Sequence, residues 1–270
     1  MLDEVLTDLR AECADLDALV ADLPDGPTDG AATWRSATPA PGWTVAHQIA
    51  HLAWTDEIAA LAATDPAAFL AAVQALLASG EAPEHVVDRE AETGAAASGG
   101  ALLTRWRSAR AALDAALRAV PDGTKLPWFG PPMAATSMAT ARLMETWAHG
   151  QDVADALGVT RVPTARLRHV ARLAVRTTGF SFAVHGRPPP ADEIRVELTA
   201  PDGGTWVFGP PDAAQHVTGP ALDLCLLAAR RRHRADTALV ATGPDADAWL
   251  DVAQAFAGPP GAGRPAGERA

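Results

Sequence analysis

The sequence predicts an all-α domain followed by a smaller α+β domain, and three observations carry this. Up to about residue 157, apolar residues recur at helical spacing. Beyond Pro163 the pattern changes: Ile194-Arg-Val-Glu-Leu-Thr199 alternates with period two, and Trp206-Val-Phe208 returns after the turn residues Asp202-Gly203-Gly204. The tail from Gly258 is rich in Gly, Pro and Arg, a composition that favours disorder. The expected domains are therefore 1–160 (helical bundle), 161–258 (α+β) and 259–270 (disordered tail), with no internal repeat.

In chain order, Leu2, Val5, Leu6, Leu9, Cys13, Leu16, Leu19, Val20 and Leu23 mark an amphipathic helix that stops before Pro24-Asp25-Gly26. A polar loop runs to about residue 40, with Trp34 as a packing anchor. Pro41-Gly42-Trp43-Thr44 starts the next helix, about 45–63, with Thr44 as N-cap. Asp65-Pro66 opens another, carrying Phe69, Leu70, Val73, Leu76 and Leu77 and ended by Ser79-Gly80. Residues 84–119 read as helix interrupted at Ser98-Gly99-Gly100, and Leu126-Pro-Trp-Phe-Gly-Pro-Pro-Met133 as an irregular apolar loop packed over the bundle. A helix from about Thr136 to Leu157, stopped by Gly158, is apolar most of the way round, which implies a central position. The second domain reads as a basic helix (164–184), a hairpin, a strand at 215–218, a helix (221–231), a strand (237–241) and a last helix (246–256).

Composition limits the partners. The chain has 270 residues, 48% hydrophobic and 20% charged, enough for a sizeable core without disulfide staples. Its 22 basic and 33 acidic side chains give a net charge of −11, which argues against nucleic acid. The densest basic run, Arg230-Arg231-Arg232-His233-Arg234, reads as a solvated helix end or an anion site. Cys13 and Cys225 sit in apolar helical patterns, where core packing is the expected role. So few cysteines, no signal-peptide pattern and no membrane-length apolar run together predict a cytoplasmic protein without membrane insertion.

The chemistry centres on Glu145-Thr-Trp-Ala-His149-Gly-Gln-Asp152. Residues four apart share a helical face, so Glu145 and His149 are placed to grip one divalent cation. On an apolar helix they would be costly to bury unless paired or ligated. A third ligand must come from elsewhere, and His47-Gln-Ile-Ala-His51, on another core helix, offers His47 and His51. Two His and one carboxylate leave coordination positions open, the arrangement of catalytic Zn²⁺ and of non-haem Fe²⁺. Asp152, one turn on, reads as an outer group orienting His149 or taking a proton from substrate, or else as a solvated pair with Arg142 or another base. No Gly-rich phosphate loop, G-x-S-x-G elbow or H-E-x-x-H motif is present.

These residues resemble a known family. Pro41-Gly42-Trp43-Thr44 followed by His51-Leu52, and then Glu145-x-x-x-His149-x-x-Asp152, are similar to motifs of the DinB/YfiT-like metalloprotein superfamily. Within it the chain resembles the mycothiol-dependent maleylpyruvate isomerase group, in particular an actinobacterial metal-binding subgroup. The resemblance implies a DinB-like four-helix bundle followed by a small sterol-carrier-protein-like α+β domain. It implies a divalent metal, Zn²⁺ foremost with Ni²⁺ or Fe²⁺ as alternatives, held by His51, Glu145 and His149, so that His47 becomes a neighbour. It also implies mycothiol or a similar thiol as cofactor. In that group a thiolate adds to an activated double bond, the adduct rotates and the thiol leaves; related members transfer the thiol instead. The implied activity is thus that of an isomerase or S-transferase acting on a small organic substrate. Trp43, Trp54, Trp128, Phe129 and Trp147 are candidates for the pocket wall, and Arg230, Arg231, Arg232 and Arg234 for anchoring a thiol or carboxylate. The alternative is a non-catalytic metal-containing carrier of a lipid or other hydrophobe. An open coordination position favours the enzyme; a site closed by His47 or Asp152 favours the carrier.

Overall fold

The computed structural model of the chain describes residues 1–26 and 30–267. Part of the polar loop expected before residue 40, and the last three residues of the expected tail, lie outside the described residues. The architecture is mixed, with ten α-helices and two small sheets among the described residues, divided into two compact units, Met1–Thr160 and Arg161–Ala270.

The first unit contains α1 (Leu2–Val20), α2 (Val45–Thr64), α3 (Pro66–Ser79), α4 (Pro83–Ala95), α5 (Gly99–Ala119) and α6 (Ala135–Ala156). Helices α1 and α2 each pack on both α5 and α6, while α3 and α4 rest on α2. Leu6, Leu16, Ile49, Leu52, Trp106, Leu113 and Met138 are fully buried where the four packed helices meet. The periodicity read in α1, α5 and α6 is therefore the periodicity of the core. Helix α3 differs. Of its apolar residues Phe69, Leu70, Val73, Leu76 and Leu77 only Phe69 is buried, because α3 lies outside the four packed helices.

Two local features position α2. The chain before it turns at Gly42 (φ 79°), where the Trp43 amide donates to the Ala40 carbonyl at 3.0 Å. It is then fastened to the start of α2 by an Ala37–Thr44 bridge and by bonds from Val45 N to Ser36 O and Ala46 N to Trp34 O. Trp34 is buried against the start of α5, where a Cβ on Gly99 would lie 2.1 Å from the indole nitrogen. The break expected at Ser98-Gly99-Gly100 is thus the α4–α5 junction, with glycine required by the Trp34 ring.

The apolar loop after α5 is more regular than its prolines suggested. Lys125–Leu126 (β1) and Met133–Ala134 (β2) pair antiparallel and close it as a short ladder.

The second unit begins with α7 (Leu167–Arg176) and α8 (Thr178–Val184). These replace the single basic helix expected there. The chain breaks at Thr177, whose hydroxyl is drawn to the carbonyls of Leu173 and Gln254. Strands β3 (Arg195–Thr199) and β4 (Thr205–Phe208) form the expected hairpin. Val196 and Leu198 are buried while Arg195, Glu197 and Thr199 alternate outward, as the period-two pattern requires. Strand β5 (His216–Pro220) pairs parallel with β3, and β6 (Val240–Thr242) pairs antiparallel with β5, giving the order β4-β3-β5-β6. Helix α9 (Ala221–Ala228), which carries buried Leu224 and Cys225, ends earlier than its sequence pattern suggested, and Arg230 then takes a left-handed conformation (φ 61°). A 3-10 turn at Arg234–Asp236 delays the last strand to Val240, and α10 (Pro244–Val252) follows. Among the described residues, no helix is long and apolar enough to cross a membrane.

Candidate metal centre

Helices α2 and α6 bring together His51, Glu145 and His149. One donor atom from each lies within 4.8 Å of the other two, and Glu145 Oε2 is 3.3 Å from His149 Nε2. Two ligands of a tetrahedral Zn²⁺ at about 2.0–2.1 Å stand roughly 3.4 Å apart. The Glu145–His149 spacing is already that of co-ligands, and the donor types suit such an ion. His51 and His149 are buried, and the Glu145 side chain keeps 25% of its surface.

The tautomer of His149 is set from behind. Its Nδ1 lies 2.5 Å from Gln48 Oε1; the Gln48 amide donates to Thr38 Oγ1 at 2.9 Å, and that hydroxyl donates to the Trp43 carbonyl at 2.8 Å. Every link in this chain has one direction. An amide oxygen only accepts, so Nδ1 carries the proton and Nε2 turns its lone pair to Glu145. Two acceptors 3.3 Å apart repel unless a cation lies between them. A second proton on His149 satisfies them, and so does a metal ion. Burial pushes the Glu145 carboxyl up. With the second proton on His149, its hydrogen bond and charge, together with the charges of Arg142 and His51, outweigh burial and hold the group down at about 2. In that state the carboxylate is ionised across the physiological range.

His47 is used otherwise. Its Nδ1 accepts from the backbone N (3.2 Å) and hydroxyl (2.8 Å) of Thr44, the N-cap of α2. Its Nε2 donates to Glu92 Oε2 on α4 at 2.6 Å. Both ring nitrogens thus tie the start of α2 to α4. Asp152 is buried one turn beyond His149 and lies outside the donor cluster. That burial is at odds with a solvated pair, and the Arg142 Nε donates to Asp56 Oδ1 at 2.8 Å.

Among the five aromatic candidates, Trp43 and Trp54 flank the donors. Trp43 stacks on His149 (6.0 Å, 17°) and tilts over His51 at 5.4 Å, with its indole N–H donating to Asp88 at 2.9 Å. Trp54 is 6.3 Å from His51. Trp128 and Phe129 instead pack on Phe69 of α3, at 5.8 and 5.5 Å, and against each other. Trp147 is buried. Neither Gln48, Thr38 nor Asp56 stood out in the sequence. Gln48 had a legible signal, since it lies three residues before His51 and so shares its helical face; Thr38, in a loop, had none.

In the second unit, Arg230, Arg232 and Arg234 line a cavity of about 580 Å³ with His233 and Arg264. Arg232 pairs with Asp223 at 2.6 Å, Arg234 with Asp247 and Asp251, and Arg231 donates to the Ala229 carbonyl at 2.7 Å. The Arg230 guanidinium contacts His185 Nε2 at 3.3 Å, and burial lowers its pKa.

Residues 9–154 match the family described as the mycothiol maleylpyruvate isomerase N-terminal domain, and residues 190–242 match one described as wyosine base formation. Uncharacterized proteins from two strains of Mycobacterium tuberculosis are each 56% identical over 259 residues, covering 96% of this chain and 97% of their own. Crystal structures of the mycothiol-dependent maleylpyruvate isomerase and of a point mutant share the fold, with TM-scores of 0.57 and 0.58 at 20% identity. Each covers 91% of this chain and 95% of its own.

Proposed function

The chain belongs to the mycothiol maleylpyruvate isomerase N-terminal domain family, and on that premise we propose a divalent-metal enzyme that uses a low-molecular-weight thiol such as mycothiol. Its reaction is an isomerisation or an S-transfer on a small organic substrate. On this reading α1, α2, α5 and α6 are the four-helix bundle of a DinB-like domain, and residues 161–258 a sterol-carrier-protein-like domain. The reading also takes Zn²⁺ as the metal and the cytoplasm as the compartment.

The observation that carries the proposal is the convergence of His51, Glu145 and His149 within 4.8 Å. Bound there, a divalent cation supplies a Lewis acid that lowers the pKa of a thiol sulfur. The chain's own residues do the rest. Glu145, ionised, contributes the negative charge of the ligand set. Gln48 keeps the His149 proton on Nδ1 and leaves Nε2 free to ligate. Trp43 and Trp54 cover the imidazoles with apolar surface, which limits water and suits a substrate with apolar bulk. Among the described residues no fourth side chain joins the cluster, since His47 is committed to Thr44 and Glu92. That supports an enzyme with an open coordination position over a carrier with a closed structural metal.

Elemental analysis of purified protein tests the site: about one metal per chain is expected, lost in His51→Ala and Glu145→Ala. Calorimetric titration of mycothiol into the metal-loaded protein tests the thiol. No heat of binding at millimolar concentration would remove the thiol from the proposal.

A further inference from the structure

Two buried polar ties cross from α2 to α6, one on each side of the three donors. On one side is the contact between Gln48 and His149. On the other, Arg142 Nε donates to Asp56 Oδ1 at 2.8 Å, with both side chains only 3% exposed. Asp56 lies five residues after His51, and Arg142 three before Glu145.

The Asp56–Arg142 pair is an expensive way to join two helices. Burial drives the Asp56 carboxyl up, and the charge and hydrogen bond of Arg142 only partly offset this. A carboxyl raised on folding lowers stability as pH climbs from its unfolded pKa through its folded one. The pair is also incompletely satisfied, because Arg142 Nη2 is buried without a hydrogen-bond partner. Apolar side chains of similar volume often hold such a position as well or better. What they do not supply is direction. Apolar contacts are non-directional, whereas a guanidinium–carboxylate bond fixes which residue of α2 faces which residue of α6.

We propose that Asp56 and Arg142 are positioning residues for the metal centre, holding α2 against α6 in the register that sets His51 within reach of Glu145 and His149. The proposal rests on the metal reading of that cluster.

The test compares Asp56→Leu/Arg142→Met with Asp56→Asn/Arg142→Gln, which keeps a neutral hydrogen-bonding pair. Zn²⁺ affinity is measured by competition with a chromogenic chelator, the visible spectrum with Co²⁺, and Tm on metal-free protein. The apolar variant is expected to melt at or above the wild-type temperature, yet to bind Zn²⁺ at least about tenfold more weakly with an altered Co²⁺ spectrum. The Asn/Gln variant is expected to stay within about threefold of wild type, short of the loss seen when a supporting partner is removed. Wild-type affinity in the apolar variant would overturn the proposal. So would a fall in its metal-free Tm, or failure to fold, since the pair would then be structural. Wild-type protein that binds no Zn²⁺ would defeat the reading of the cluster itself.

Discussion

Gln48 Oε1 accepts the Nδ1 proton of His149 across 2.5 Å, which decides that the bare nitrogen of that ring faces Glu145. Replacing Gln48 with Leu keeps similar bulk in a fully buried position but removes the acceptor. His149 can then change tautomer or rotate, and its Nδ1–H is left unsatisfied. The expected result is a loss of about 10–100-fold in Zn²⁺ affinity, the usual effect of losing a partner behind a metal-bound His. Chelator competition measures it. Gln48→Glu keeps the acceptor and is expected to retain tight binding. Equal affinity for Gln48→Leu and wild type would show that the relay through Thr38 and Trp43 has no hold on the ligand.

The two histidines of α2 are expected to separate cleanly. His51→Ala removes one of the three donors and should abolish stoichiometric metal. His47→Ala should keep it, and instead lose the contacts from Thr44 and to Glu92 that fasten the start of α2. A lost cap of this kind typically costs about 1 kcal/mol. Metal content and thermal melting, measured on both variants, distinguish the roles. Loss of metal from His47→Ala with the fold intact would bring that ring into the site.

How far the site was legible follows from what each residue's signal is. Glu145 and His149 are four apart on one helix, so local geometry alone puts them on one face. His51 needed the resemblance to be chosen over His47, because both satisfy the same spacing. The fold followed its periodicities where an element packs on the core, as in α1, α5, α6 and the β3–β4 hairpin. It departed from them where a distant partner decides. Gln254 helps break the helix at Thr177, and the outlying position of α3 leaves its apolar side uncovered. Asp56 and Arg142 were missed as a pair for the same reason: 86 residues separate them, and no local pattern reports a long-range contact.

Gly99 is expected to tolerate no side chain. A Cβ there would fall 2.1 Å from Nε1 of buried Trp34, well inside contact distance. Gly99 opens α5, where Ala would otherwise be the better helix former. Overpacking should win, and Gly99→Ala is expected to destabilise by about 1–3 kcal/mol in urea unfolding. A Trp34→Leu background should relieve most of that loss. Stabilisation by Gly99→Ala alone would mean that the Trp34 ring moves aside freely.

Asp17 supplies a stability term with a definite pH dependence. Its carboxylate receives the Nε and Nη2 of Arg107 at 2.8 and 2.6 Å, and Nη2 of Arg110 at 2.6 Å, joining α1 to α5. The Arg107 hydrogen bond, opposed by burial and aided by the Arg110 charge, lowers its pKa. An acid whose pKa falls on folding stabilises the folded state above its unfolded pKa, about 3.9. That stability is lost as pH falls through the folded value. Asp17→Asn should therefore destabilise metal-free protein by about 2 kcal/mol at pH 7, as expected for hydrogen bonds to a charged group. The gap between wild type and variant should close progressively as pH drops below about 4. Urea unfolding at pH 7, 5 and 3.5 measures the gap. A difference that stays constant across those conditions would mean that shape, and not the charge on Asp17, joins the two helices.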